Sequence, residues 1–377
     1  MKALVFDPFT INISHLSFNI TIIRSIVGIP KVNSVKVLLS NTQTKNKVFD
    51  EIKSNDKTKF EDSLANSRLN KNKFTFLLFT ITSYFKLLFS LITYKPDTLF
   101  VLSSDNLYGP ILLRIIINIF KLDVYIFLHN NIENSKSSYL KKTIWSSLLI
   151  KRTHGIVLSE FVLNRSINLF SNSLNIHLLP HPSYAHLVND IELQNDKTKI
   201  DFLLLGRHSK YFYENDFAKT FFADFLKKEG ENKIKIALRK SNLNVYENDK
   251  IEFIEYEFPI TDEEYWDLLK RTKFLIIPPQ SKTRITASGV HIDAITMGVP
   301  VLAPKKGTFL ENVNVLGKEL LFDDDDLSEC FKKVFSLNED DYEVLKSEVE
   351  SISNSLSLKE NSKRINEILK NTCKKYD

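Results

Sequence analysis

The chain has 377 residues, 43% of them hydrophobic and 26% charged, with a formal net charge of +5. That length is too great for one comfortable core and suits two domains, and the composition is globular rather than disordered. The small basic excess is scattered among Asp and Glu, which argues against a nucleic-acid partner and fits anionic small ligands or an anionic membrane surface. Two cysteines, Cys330 and Cys373, supply neither a disulfide framework nor metal-ligand spacing, and both fit a reducing compartment. MKALVFDPF is too short an apolar run for a signal peptide, so a cytoplasmic protein is expected.

Residues 2–6 read as a buried strand, followed by a turn at Asp7-Pro8-Phe9 and a helical pattern from His15 to Val27. Val35–Ser40 is a second strand. Residues 41–73 are polar, rich in Lys and Asn, and lack periodicity. Phe74–Tyr94 is apolar and long enough to span a bilayer, but Lys86 sits near its middle and Ser and Thr dilute it. A central Lys costs about 2.5–3.5 kcal/mol on insertion, so a core helix or a membrane-surface helix is expected. Arg68, Lys71, Lys73 and Lys95 flank it, as an interfacial helix on anionic lipid requires. Strands at Thr98–Leu102, Asp123–Leu128, Gly155–Leu158 and Ile176–Leu179 alternate with helices at 108–120, 137–152 and Ser159–Phe170.

Asn189–Lys199 reads as a polar linker, after which the alternation restarts. Strands are predicted at Ile200–Leu205, Ile234–Leu238, Ile251–Tyr256, Phe274–Ile277 and Val301–Ala303. Helices begin near Asp216, at Thr261 with a capping box to Glu264, and at Gly289. Strands alternating with helices predict mostly parallel sheets covered on both faces. The expected organisation is an N-terminal domain over 1–188, a C-terminal domain over 189–357, and a last helix over 358–377 that crosses back to the first domain.

The most informative stretch is Ser288-Gly289-Val290-His291-Ile292-Asp293, closed by Gly298-Val299-Pro300-Val301. Unpaired N–H groups where the Gly289 helix starts attract anions such as a diphosphate. Asp293, one turn further in, can accept hydrogen bonds from a ribose diol. Gly298 and Pro300 also suit a plain helix cap and turn. Leu205-Gly206-Arg207-His208-Ser209-Lys210 follows the first strand of the second half, where ligands sit in doubly wound sheets. Gly206 allows close approach, and Arg207 and Lys210 offer cationic donors to phosphate; a solvated basic loop is the bland alternative. His129, in Leu128-His129-Asn130-Asn131, ends a strand of the first half. His15 lies near the start of the first helix, where a His suits general-base work. Each His is equally compatible with ordinary loop chemistry. His181, between Pro180 and Pro182, reads as a hinge residue. Asp323–Asp326 reads as a solvated loop.

The Gly289–Val301 stretch resembles the donor-binding region of GT-B glycosyltransferases, especially the family 4/group 1 type of bacterial polysaccharide biosynthesis with its Glu-x7-Glu signature. Asp293 takes the ribose-binding position, and Gly298, Pro300 and Val301 match the helix ending. The first acidic position falls on Ile285, within Arg284-Ile285-Thr286-Ala287-Ser288-Gly289. The resemblance implies an α/β fold of two Rossmann-like domains facing a central cleft. It implies transfer from a nucleotide-sugar donor to a glycan or lipid-linked acceptor in surface polysaccharide or lipopolysaccharide synthesis, without cofactor or metal. The implied donor-binding set is Gly206, Arg207, Lys210, Arg284, Ser288, Gly289, Val290 and Asp293, and the implied catalytic set is His15, His129 and Arg207. A location at the inner face of the plasma membrane follows from the lipid-linked acceptor. A non-catalytic nucleotide-sugar binder and a GT-B-like epimerase are the alternatives.

Overall fold

The computed structural model describes residues 1–8, 16–40, 50–64, 73–104, 107–129, 131–136, 138–170, 175–188, 198–206, 209, 233–240, 251–257, 259–278, 288–311, 317, 320–323 and 327–373. The chain divides into two compact units. Unit 1 holds Met1–Pro182 and Leu358–Asp377, and unit 2 holds Ser183–Thr283 and Ser288–Ser357.

Unit 1 is built on a parallel sheet of seven strands: β1 (Lys2–Phe6), β2 (Ser34–Ser40), β3 (Thr58–Leu64), β4 (Thr98–Val101), β5 (Asp123–Phe127), β6 (Thr153–Val157) and β7 (Ile176–Leu178). Their order is β3-β2-β1-β4-β5-β6-β7. The order reverses between β1 and β4, which are paired from Ala3 and Thr98 to Phe6 and Val101. Such a reversal opens a crevice at the carboxyl ends of the strands.

One face of this sheet is covered by α1 (Leu16–Val27). This helix is buried nearly all round, because the C-terminal helix of the chain, described below, lies on its other side. Its buried Thr21 and Ser25 hydroxyls donate to the Ser17 and Thr21 carbonyls one turn back, so no polar group is left orphaned there. The short α2 (Asp50–Lys53) precedes β3. The other face carries α3 (Lys73–Tyr94), α4 (Tyr108–Phe120), α6 (Tyr139–Leu148) and α7 (Glu160–Phe170), while α5 (Asn131–Lys136) follows β5. Leu4, Phe6, Leu99, Val101, Val124 and Ile126 of the sheet share one core with Leu87, Leu113, Trp145 and Val162 of these helices.

The stretch read as polar and without periodicity, residues 41–73, contains α2 and β3. Thr58–Leu64, TKFEDSL, has no apolar alternation. It is an edge strand paired only with β2, and edge strands tolerate charge that a central strand does not.

Unit 2 begins with the short α8 (Ala185–Val188). Its parallel sheet comprises β8 (Ile200–Leu204), β9 (Ile234–Arg239), β10 (Ile251–Tyr256), β11 (Thr272–Ile276), β12 (Val301–Pro304) and β13 (Leu321–Phe322), ordered β10-β9-β8-β11-β12-β13. The reversal falls between β8 and β11. Helices α9 (Asp262–Lys270), α10 (Gly289–Thr296), α11 (Leu327–Ser336) and α12 (Glu339–Ser355) cover it. Phe202, Phe274, Phe331 and Leu345 anchor the core. The final α13 (Leu358–Cys373) belongs to unit 1, where it packs on α1. The expected linker core, residues 189–197, and the helix expected near Asp216 lie outside the described residues.

Candidate functional site

Both loops predicted to bind a donor flank the strand-order reversal of unit 2. Gly206 follows β8, and α10 follows β11. Gly206 has φ +54° and open space where a side chain would project; a left-handed φ disfavours any residue with a Cβ. The turn is pinned from beneath. Tyr256, ending β10, accepts a hydrogen bond from the Gly206 N–H at 2.8 Å and donates to the Leu204 carbonyl at 2.9 Å. Ser209 donates to the same carbonyl at 2.7 Å and accepts from the Arg239 N–H at 2.9 Å. Burial pushes the Tyr256 phenol above its ordinary pKa, and the Ser209 and Gly206 hydrogen bonds oppose this.

Helix α10 starts as expected. Ser288 is extended at the N-cap and its hydroxyl accepts from the His291 N–H at 3.4 Å. Gly289 is exposed with open space beside its Cα, and Val290 is partly buried. The helix ends at Gly298, whose φ of +69° makes the left-handed cap. Thr296, near that end, accepts a hydrogen bond from the Tyr184 N–H at 3.0 Å.

Asp293 projects from α10 to Tyr265 on α9, whose phenol donates to Oδ2 at 2.6 Å. The capping box that opens α9 is complete. The Glu264 N–H donates to Thr261 Oγ1 at 3.2 Å, and the Thr261 N–H donates to Glu264 Oε2 at 2.8 Å. Trp266 packs edge-on against both Tyr265 and Tyr184. Within this aromatic surround, burial pushes the Asp293 carboxyl up to about 7, and the Tyr265 hydrogen bond works in the other direction. Burial, then the nearby Asp293 charge, holds the Tyr184 and Tyr265 phenols well above their ordinary value. Both therefore remain proton donors at neutral pH. A carboxylate on this helix was legible in the sequence, but its tyrosine partners were not. They come from elements remote in the chain, and no local pattern marks them.

In unit 1, His129 follows β5 and lies edge-on to Phe18 of α1 at 4.7 Å between ring centroids. His181 packs on the same Phe18 at 5.5 Å, with Nδ1 3.2 Å from the Pro182 carbonyl. The His129 Nε2 lies 3.1 Å from the Leu102 carbonyl. A carbonyl only accepts, so Nε2 is the donor in that contact. Beside them, buried Asp7 at the end of β1 accepts from Asn19 at 2.5 Å and from the Ser103 hydroxyl. Sequence reasoning read Asp7 only as part of a turn.

His15, Arg207, Lys210 and Arg284 lie outside the described residues. Among the described residues, no cluster of three His, Cys, Asp or Glu side chains could hold a metal ion.

No family model matches the chain, and no curated protein matches it. Solved structures match over almost its whole length. A glycosyltransferase from Rickettsia africae is 13% identical with a TM-score of 0.62, covering 99% of this chain and 98% of that one. HepE of Anabaena in complex with UDP is 10% identical with a TM-score of 0.62, covering 98% and 100%. UDP-GlcNAc 2-epimerase from Neisseria meningitidis, bound to UDP-GlcNAc, is 14% identical with a TM-score of 0.57, covering 98% and 100%. At such identities the likeness speaks for fold, and with two parallel Rossmann-like sheets it shows that this chain has the GT-B fold.

Proposed function

We propose that the protein transfers a sugar from a nucleotide-sugar donor to a glycan or lipid-linked acceptor, in the synthesis of bacterial surface polysaccharide or lipopolysaccharide. The observation that carries this reading is Asp293, held by Tyr265 one turn into the Gly289 helix, beside the strand-order reversal of unit 2. There a ribose diol can donate to the carboxylate while a diphosphate meets the free N–H groups of Gly289 and Val290. In the reaction, the bond from the anomeric carbon to the diphosphate oxygen breaks. The acceptor oxygen forms the new bond and its proton passes to a base, while the nucleoside diphosphate leaves. Arg207 and Lys210 are assigned to the growing charge on the leaving group, with Arg284 as a further donor contact. His129 or His15 is assigned as the base. No cofactor and no metal is needed on this reading, and the protein works at the cytoplasmic face of the membrane.

A thermal-shift screen of UDP, GDP, CMP and their sugars tests the donor. Binding is expected to add about 2.7 kcal/mol of stability near 100 times the dissociation constant. The nucleotide-sugar that binds is then incubated with the pure protein. Slow donor hydrolysis that survives EDTA is the expected result. Absence of turnover with intact binding would leave a non-catalytic binder. The epimerase reading is favoured by the Neisseria enzyme among the structural neighbours. It predicts an epimerised nucleotide-sugar instead of free sugar and nucleotide.

A further inference from the structure

Helices α3, α4 and α6 lie in one layer of unit 1, with α4 in contact with both others. Their inner faces fill the core with Tyr84, Leu87, Leu91, Leu113, Ile116 and Trp145. Their outer faces are apolar as well. On α3, Phe74, Leu78, Phe85, Phe89 and Ile92 recur at helical spacing and are exposed, with Phe85 at 65% and Phe89 at 64%. On α4, Ile111, Ile115 and Ile119 form a second stripe, and Tyr139 and Leu140 begin α6 exposed. Scattered exposed apolar residues are ordinary, but parallel stripes on adjoining helices mark an interaction surface.

The charge around these stripes has one sign. The sequences of α3, α4 and α6 contain no Asp or Glu, yet they carry Lys73, Lys86, Arg114, Lys141 and Lys142. Among the described residues, the non-glycine positions with positive φ are Lys95, Lys121 and Lys151. Each follows one of these three helices and leads into β4, β5 or β6, which are neighbours in the sheet. A left-handed position asks for Gly or Asn, so the backbone gives no reason for lysine at all three. Between the ends of α4 and α6 lies a pocket of about 330 Å³ lined by Arg114, Asn118, Lys121, Lys151, Arg152 and Thr153. Arg152 also donates to the Lys121 carbonyl, and Asp123 feels its charge.

We infer that this face docks on an anionic lipid bilayer, its apolar stripes at the acyl boundary and the Arg114–Lys121–Lys151–Arg152 pocket on a lipid phosphate. A second copy of the chain is a poor occupant, since an isologous dimer would set acid-free, lysine-bearing surfaces against each other. A spanning α3 is excluded by its inner face, because Tyr84, Leu87 and Leu91 belong to the sheet's core. The inference deepens the peripheral-membrane part of the proposed function. Its test reads vesicle binding rather than sugar transfer, so either can fail alone.

The full chain is sedimented with vesicles of phosphatidylcholine, alone or doped with phosphatidylglycerol. Binding to the doped vesicles at low salt, release at high salt and weak binding to phosphatidylcholine alone are expected. Phe85→Ser/Phe89→Ser and Lys121→Glu/Lys151→Glu should each weaken partition at least about tenfold, with unchanged melting temperatures because all four side chains lie outside the core. No low-salt binding, or binding that both double variants retain, would overturn the inference. So would a wild-type dimer in light scattering that Phe85→Ser/Phe89→Ser dissociates. Protection from melting by inorganic phosphate, lost in Lys121→Glu/Lys151→Glu and without vesicle binding, would assign the pocket to a free anion and also overturn it.

Discussion

The two units repeat one strand order but use its reversal point differently. In unit 1 the carboxylate beside the reversal, Asp7, is 1% exposed and both its oxygens are occupied, by Asn19 and Ser103. In unit 2 the first strand is followed by Gly206 with open space beside it, and the carboxylate comes from α10. That carboxylate, Asp293, is only partly covered, accepts from Tyr265, and is pushed up to about 7. Topology thus supplies a strand-order reversal in each unit, and on the proposed reading the residues placed around it decide whether a carboxylate serves the fold or a ligand. The unit 1 carboxylate is spent on internal donors. The unit 2 carboxylate is held at a cost that hydroxyl donors from a ligand would offset.

Variants can break or sharpen this contrast. The largest effect is expected for Arg207→Ala in the Gly206 loop. Turnover should fall about 10²–10³-fold with a much smaller change in substrate affinity, because the charge it meets grows in the transition state. Steady-state kinetics check this, and an unchanged kcat would remove Arg207 from the mechanism.

Asp293 should also make stability depend on pH. Its folded pKa, about 7, lies above the ordinary carboxylate value of 3.8. Between those values the native state therefore holds more protons than the unfolded state. Stability from this group is complete below about pH 4 and is lost as pH rises through 7, by about 2–4 kcal/mol. Asp293→Asn should abolish that slope, leaving the variant more stable than wild type at pH 8 and close to it at pH 4. Chemical denaturation at both pH values tests the sign.

Asp7→Ala should behave oppositely. It strands donors on buried Asn19 and half-buried Ser103 and should cost about 2–3 kcal/mol of stability, with no effect on nucleotide affinity in the folded protein. A nucleotide-binding defect without destabilisation would dissolve the contrast between the units. Tyr265→Phe should act most gently, weakening nucleotide binding by about 1 kcal/mol. It should also move the pH midpoint of binding upward, because the phenol's hydrogen bond lowers the Asp293 pKa.

Much of the fold was readable because its strands are buried and apolar. KALVF, TLFV, IDFLL and TKFLI announce themselves between helical stretches. The edge strand TKFEDSL was not readable, since an edge strand has less to bury. The ends of α10 were legible in Ser288, Gly289 and Gly298 because caps are local chemistry. Tyr265 and Tyr256 were missed because their hydrogen bonds close over 28 and 50 residues of chain. Asp7 looked like a turn residue because Asn19 and Ser103, which bury it, are named by the fold alone.

The central claim is that unit 2 holds the ribose of a nucleotide through Asp293. Isothermal titration of wild type and Asp293→Ala, with the nucleotide that most raises the melting temperature, tests it directly. The account predicts a loss of roughly 1.5–3 kcal/mol for the variant. It also predicts that wild-type binding near pH 6.5 releases protons, seen as a dependence of the measured heat on buffer. Equal affinity for the two proteins, with the variant fully folded, would contradict it.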